Sequence, residues 1–418
     1  MTGDVNPRVL IVGAGPAGLA AARALARQGI GGILVIDRDD KPGGLPRFCH
    51  HPGFGLEYAR WPYTGPGFVK RLLRDLESAD VRIACKTTLL SLRDGPEAEI
   101  VGPSTGLRWI RPQAIIVATG IRESNRGNLA VPGGRAEAGI MTTGQLQQMV
   151  ARNVALPSHV KSTIVVGTEH VSFSALWTAR MAGLRVKAII GAEDRIMSFA
   201  PLGVLARACG VAVMTASRPR EIETSGGAVT AAIVETRDGT QRLPTDSVLF
   251  TANWIPETAA LAGGPVALDP RTAGPQIDQA MRTSGAGIFA AGNVLHGVES
   301  SGWCANEGRH AGEMVVRYLR GEIGGARDGA MLELAEAIDF AVPQFWDCRL
   351  PPLDGTHALP FNLRMKADVA DRRLAMKVGE TTIWSGPHRR LLRKRRVAFT
   401  PGAIEAPPAA SITLGLAD

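Results

Sequence analysis

The stretch RVLIVGAGPAGLAAARALARQGIGGILVID, residues 8 to 37, constrains the chain more than any other. VLIV reads as a short buried strand, and AGLAAARALARQG has helical periodicity ending at a glycine, so GAGPAG falls on a strand-to-helix turn. Gly13 permits the tight turn, Gly15 lets the main chain approach a pyrophosphate, and Gly18 lets the helix pack close to the strand. Pro16 and Ala17 open the helix, whose free N–H groups and dipole favour phosphate. The second strand, GILVID, runs into Asp37 and Arg38 about 20 residues on, where a carboxylate accepts hydrogen bonds from an adenosine ribose.

Two later segments favour FAD over NAD as the dinucleotide. AIIVATG is a strand ending at Ala118, Thr119 and Gly120, and RTSGAGIFAAGN is another ending at Gly292 and Asn293. This pair, in this order behind GAGPAG, resembles the two-dinucleotide-domain flavoproteins related to the pyridine nucleotide-disulfide oxidoreductases, over roughly residues 8 to 320. The resemblance implies an Asp after the last glycine, bonding the ribitol of FAD. Asn293 departs from it, and its amide still offers a donor and an acceptor. The following loop and helix, with Gly302 near its start, would face the flavin pyrimidine with a positive end. Gly44 and Arg47, in KPGGLPRFCHHPGFGLE, complete the expected cofactor contacts.

STIVVGTEHVSFSALWTARMAGLRVKAII repeats the strand-turn-helix-strand pattern and marks an inserted domain of the same build. It should dock a nicotinamide dinucleotide, but Glu169 and Ser172 stand where the fingerprint has glycines. Two like charges about 4 Å apart cost on the order of 4 kcal/mol near a surface. The turn therefore argues against NAD(P), and the domain reads as retained for architecture.

Thiol-disulfide exchange needs two cooperating thiols. The loop after the GG turn offers only Cys49 and the second domain only Cys209, and the five cysteines form no CxxC pair or metal cluster. GG…C.H.GFG, ATGIRE (118 to 123), AGIMTTGQLQQMV (138 to 150) and ESSGWCANEGRHAG (299 to 312) resemble the flavoprotein α-type subunits of heteromeric dye-linked dehydrogenases. These include the opine, hydroxyproline and proline dehydrogenases, hydrogen cyanide synthase, and flavoproteins associated with anaerobic glycerol-3-phosphate dehydrogenase. The resemblance implies FAD, a second flavoprotein subunit as partner, and, where an iron-sulfur centre is used, a separate small subunit to hold it.

Hydride transfer to a flavin needs a proton acceptor and an anchor for the substrate. His50, His51 and Cys49, in the loop that should pass the flavin, are the catalytic candidates, each with a packing or capping alternative. Arg47 and Arg122 could each anchor a carboxylate or phosphate, or pair at the surface. Cys304 reads as packing, Glu307 as reaching the pyrimidine edge or a partner's surface, and His170 as structural.

The expected fold is α/β, with two Rossmann-like dinucleotide-binding domains and a small, mostly β C-terminal module. The expected limits are 1–130 and 265–325 for a discontinuous FAD domain, 131–264 for the inserted NAD(P)-binding-like domain, and 326–418 for the basic module. Residues 331 to 341 suggest a short helix, TTIWSGPHRR a hairpin, and PGAIEAPPAAS an extended segment. Residues 361–418 carry 11 Lys+Arg against 5 Asp+Glu, so the net charge of +8 is largely theirs. HRRLLRKRR reads first as a charge-guarded, solvated edge strand, with a partner-docking face as the alternative. No apolar run has membrane-spanning length, and a cytoplasmic protein with a small-molecule substrate and no nucleic acid partner is expected.

The leading expectation is an FAD-dependent oxidoreductase, the α-type subunit of a dehydrogenase. Its substrate would be an amino, imino or hydroxy acid or a glycerol-phosphate-like alcohol, with electrons passing to a partner or quinone-linked acceptor. An NAD(P)H-dependent flavin reductase and a non-catalytic nucleotide-binding scaffold are the alternatives.

Overall fold

The computed structural model describes residues 6–77, 79–251, 253–350, 360–387, 389–401 and 411–417. Val9–Val12, Ile33–Ile36 and Ala114–Val117 are apolar throughout and buried at every position. Such runs suit a parallel sheet covered on both faces. They form one, in the order Ile288–Ala290, Ala114–Val117, Val9–Val12, Ile33–Ile36, Val81–Ala84. An antiparallel meander, Thr88–Arg93, Glu97–Gly102 and Gly106–Ile110, carries the chain from the Val81 strand to the Ala114 strand.

The same build recurs. A second parallel sheet runs Ile140–Thr142, Val248–Phe250, Ser162–Val166, Arg185–Ile190, Ala212–Met214. Its meander is Arg218–Ser225, Ala228–Thr236, Gly239–Pro244. In the first sheet the outer strand beside Ala114–Val117 is the last in sequence, whereas the corresponding strand here is the first. An antiparallel ribbon, Ile121–Glu123 against Trp254–Pro256, joins the two units.

The helices Pro16–Arg27 and Ser301–Leu319 cross in close contact because Gly308 and Gly312 remove side chains at the crossing. A Cβ at either would run into main chain of Ala17 or Ala21. This crossing brings the last helix to the first turn.

The C-terminal region is β. Residues 331 to 341 form no helix: Ala330–Leu334 and Ile338–Val342 are strands. MLELAEAI has helix-forming residues, but pairing of Leu332 with Ile412 and of Ile338 with Met365 overrides that preference. Nor is TTIWSGPHRR a self-paired hairpin. Thr381–Ser385 and Arg389–Leu391 each pair with the long strand Val369–Val378, and His388 lies outside the described residues. Most of PGAIEAPPAAS also lies outside them. Among the described residues, no helix is long and apolar enough to cross a membrane.

Candidate functional site

The three fingerprint glycines are glycines for different reasons. Gly13 has φ +108°, and a Cβ there would run into the Ala118 carbonyl, while one at Gly18 would run into the Gly13 carbonyl. Gly15 has ordinary extended backbone, φ −78°, and open space where its Cβ would stand. Packing explains the first two and leaves the third as a place kept clear. Gly15 is also the N-cap of Pro16–Arg27 and gives no side-chain cap, so the N–H groups of that first turn are available to an anion.

The surroundings fix this turn. Asp37 accepts the Ala14 N–H through Oδ2 (2.7 Å) and the Asp39 N–H through Oδ1 (2.9 Å). The Gly43 N–H donates to the Ala14 carbonyl at 2.7 Å, and Gly44, at φ +61°, lies so close that its Cβ would be 3.1 Å from the Gly15 Cα. Ala118 N–H donates to Val12 O, Thr119 Oγ1 to Glu257 O at 2.7 Å, and Gly120, at φ +76°, borders open space. Pro16 and Ala17 are buried in the helix start. Arg38 is exposed and faces Glu257 at 3.4 Å, and Arg47 is spent on Asp39, Asp40 and the Lys41 carbonyl. Both arginines thus shape the cradle's rim.

At the other end, Gly292 (φ +81°) donates its N–H to Glu307 Oε2 at 2.9 Å. Asn293 uses both halves of its amide on the Glu299 main chain, closing the loop before the last helix. Ser300 caps that helix by accepting the Trp303 N–H, and its hydroxyl donates to Glu57 Oε1 at 2.7 Å. Gly302 sits against the Glu57 carboxylate. The Ser301 hydroxyl and the Trp303 indole N–H are buried there without a partner. Orphaned buried polar groups beside a helix N-terminus, together with the clear space at Gly15, fit a long polar ligand with a pyrophosphate along its length.

Burial sets the charge states nearby. It pushes the Glu307 carboxyl up to about 8 and lifts the Cys304 thiol well above its usual range, so both are neutral at pH 7. Glu299 stays ionised: burial opposes this, but Arg364, His296 and Arg396 hold it low. Arg364 and Asn362, from the C-terminal strand Phe361–Met365, both donate to Glu299, so the module grips the start of the last helix.

Among the catalytic candidates, Cys49 is buried, donates toward Gln147 Oε1 at 3.4 Å, and has its thiol pushed up to about 12 by burial, with Glu123 adding to the shift. It is a neutral thiol with no nucleophilic character at pH 7. His51 packs on Phe54 and places Nδ1 3.0 Å from the Pro52 carbonyl, so Nδ1 is the donor and Nε2 is left as an acceptor. Burial lowers its pKa. His50 is half-buried beside it.

Sequence reasoning missed Glu123, in the ribbon between the units. Its Oε2 accepts the Gly144 N–H at 2.6 Å, Oε1 is buried without a partner, and burial pushes the carboxyl up to about 7. Such a group can take up or release a proton near neutrality. A carboxylate closing ATGIRE, directly after an apolar strand, was the available signal.

At the second turn, Gly167 (φ +129°) repeats the Gly13 conformation, and its Cβ position is likewise crowded, here by Thr251 and Ser172. Glu169, the N-cap of His170–Met181, accepts from the Trp254 indole at 3.4 Å. Burial raises its pKa, against the opposing pull of Lys394 and Arg364. His170 packs at a tilt on Phe199 and bonds Ser198 Oγ at 2.6 Å, contacts of a structural kind. Within HRRLLRKRR, Arg389–Leu391 is an edge strand paired with Val369–Val378 and Arg390 is exposed, as expected, but the Arg393–Arg396 half is bound to the rest of the chain. Arg393 and Lys394 pair with Glu193, Arg395 donates to Ser198 O at 2.6 Å, and Arg396 reaches Glu299 at 3.1 Å.

Known proteins resemble this chain in sequence and in fold. The chain is 28% identical over 361 residues to the glutamate synthase (NADPH) small chain of Azospirillum brasilense, covering 76% of this chain and 67% of that one. It is 27% identical over 187 residues to hydrogen cyanide synthase subunit HcnB of Pseudomonas aeruginosa, covering 44% of this chain and 38% of that one. The crystal structure of T. acidophilum thioredoxin reductase superposes with a TM-score of 0.60 at 20% identity, over 76% of this chain and 99% of that one, which shows the fold. The NADPH in the first relative's name does not support the expectation that NAD(P) is unlikely. The description "Pyridine nucleotide-disulphide oxidoreductase" matches residues 7–308, and the chain belongs to that family and is an oxidoreductase.

Proposed function

We propose that the chain is an FAD-dependent oxidoreductase and the α-type flavoprotein subunit of a dehydrogenase complex. It oxidises an amino, imino or hydroxy acid or a glycerol-phosphate-like alcohol and hands electrons to a partner subunit or quinone-linked acceptor. The observation that carries this reading is the contrast between the two turns: Gly15 faces open space, whereas the second turn carries the Glu169 carboxylate. The likeness to a hydrogen cyanide synthase subunit supports a place in a complex.

When bound, FAD supplies a two-electron acceptor. Gly13, Gly15 and Gly18 with the N-terminus of Pro16–Arg27 would hold its pyrophosphate, and Asp37 its adenosine ribose. Thr119, Gly120, Gly292 and the Ser301 and Trp303 polar groups would hold its remaining length. Neutral His51 takes a proton at Nε2, and Glu123 holds one at its free oxygen until about pH 7. The neutral Cys49 excludes water and does no thiol chemistry.

A second reading, a reductase fed by NAD(P)H, is favoured by the NADPH-linked relative and by the retained Gly167 conformation. Anaerobic mixing decides between them. A substrate from the acid or alcohol classes bleaches the flavin and NADH does not; rapid bleaching by NADH would establish the second reading instead.

A further inference from the structure

We propose that the Arg393–Arg396 turn is a resident occupant of the second dinucleotide domain, seated on the adenosine side of its turn and closing that crevice to a pyridine nucleotide. This goes beyond the dehydrogenase reading and concerns only the second turn.

The duplicated build locates the crevice. Ser162–Val166 corresponds to Val9–Val12, Gly167 to Gly13, and Arg185–Ile190 to Ile33–Ile36, so the segment after Ile190 corresponds to the one that begins at Asp37. In the first domain that segment supplies the ribose-facing carboxylate and folds back onto its turn. In the second it also folds back: Ser198 N–H donates to Thr168 O at 2.9 Å, and Met197 N–H to Thr168 Oγ1 at 3.4 Å.

The arginine turn lands on this segment. Glu193, three residues past the strand, receives Arg393 and Lys394, the latter at 2.7 Å. Arg195 returns the contact, donating to Asp368 at 2.9 Å and to the Arg393 carbonyl at 3.2 Å. Arg395 donates to the Ser198 carbonyl and lies 5.7 Å over the Phe199 ring, and Ser198 in turn holds His170, the first residue of the turn's helix. On the far side Arg396 stacks 4.0 Å over Trp303 and pairs with Glu299. One four-residue turn therefore bridges the segment folded onto the second dinucleotide turn and the start of the last helix.

This assignment gives Glu169 a role. A carboxylate there repels a phosphate, but it suits a crevice that holds cations, and Lys394 draws its pKa down against burial. Glu169 itself is bonded to the Trp254 indole, so it meets the basic turn through its charge, while Glu193 makes the direct ion pairs.

Because the contact is ionic at the rim, salt should loosen it: the screening length falls from about 10 Å at 0.1 M to about 3 Å at 1 M. The test uses the full-length holoprotein and follows tryptic cleavage after Arg393 to Arg396 by mass spectrometry. Cleavage should be slow at low salt and at least about tenfold faster in high salt or in Glu193→Gln, which loosens the turn without altering it. Equal rates in all three conditions would overturn the seating. NADH binding, read by quenching of its fluorescence, tests the closure. Glu193→Gln, and separately an Arg393→Ser, Lys394→Ser, Arg395→Ser variant, should bind NADH at least about fivefold more tightly than wild type. Wild type and variants binding alike, or none binding, would overturn it. Flavin content and substrate-driven bleaching are read on the same samples, so failure of the dehydrogenase reading shows separately.

Discussion

Asp37 Oδ2 accepts the Ala14 N–H at 2.7 Å, so the carboxylate expected to face the adenosine ribose also fixes the first glycine turn. Its other oxygen holds the Asp39 N–H. Replacing Asp37 with Ala leaves two main-chain donors without an acceptor, at about 1–3 kcal/mol each when desolvated. Asp37→Ala should lower both Tm and FAD affinity, whereas Asp37→Asn should recover much of the Tm and less of the affinity. Thermal melts with and without added FAD measure the two effects.

Gly15 and Gly18 separate binding from folding. Gly15→Ala puts a methyl into open space at an ordinary φ, so the Tm of the apoprotein should stay within about 1 °C of wild type while FAD affinity falls at least about tenfold. Gly18→Ala drives a methyl into the Gly13 carbonyl and should lower the yield of folded protein. An apo Tm that falls equally in both would mean that Gly15 is kept clear for packing and not for a ligand.

Cys49 should be chemically silent. With the thiol pushed up to about 12, iodoacetamide at pH 8 should label the exposed Cys209 long before Cys49, and Cys49→Ala should keep turnover within about threefold of wild type. Loss of turnover in Cys49→Ala with the Tm unchanged would contradict the neutral-thiol assignment.

Glu307 gives stability a pH dependence of defined sign. Its folded pKa, about 8, lies above the ordinary 4.5. The unfolded chain therefore releases this proton first, and stability falls as pH rises between about 4.5 and 8, by at most about 1.4 kcal/mol per pH unit. Glu307→Gln keeps an acceptor for the Gly292 N–H and removes the titration. It should raise Tm at pH 8 and change it little at pH 4.5, as melts across that range would report.

The Glu299–Arg364 pair is buried on both sides. Removing Arg364 leaves the buried Glu299 carboxylate with only Asn362 and the more exposed Arg396, at a cost approaching the ~3–5 kcal/mol of a broken buried pair. Arg364→Met should accordingly destabilise far more than Arg364→Met combined with Glu299→Gln. Additive losses in the double variant would show that the two do not act as a pair.

Much of this was legible in the chain because the first 37 residues act locally: strand, glycine turn and helix are neighbours in sequence and need no tertiary information to be placed. Gly13, Gly15, Gly18 and Asp37 come together as their spacing implies. The C-terminal module was less legible because its strands pair across long separations, Leu332 with Ile412 and Val369 with Leu391, and local propensity at MLELAEAI points the wrong way. Glu123 and the Glu299–Arg364 pair escaped for the same reason. Their shifts and contacts arise from burial and from partners far off in sequence, such as Gly144 and Asn362.

The most direct measurement is flavin stoichiometry on the folded full-length protein, by denaturation and chromatography of the released cofactor. The account predicts one FAD per wild-type chain and a marked loss in Gly15→Ala with the fold intact. A folded wild-type protein that is colourless and takes up no added FAD would contradict it.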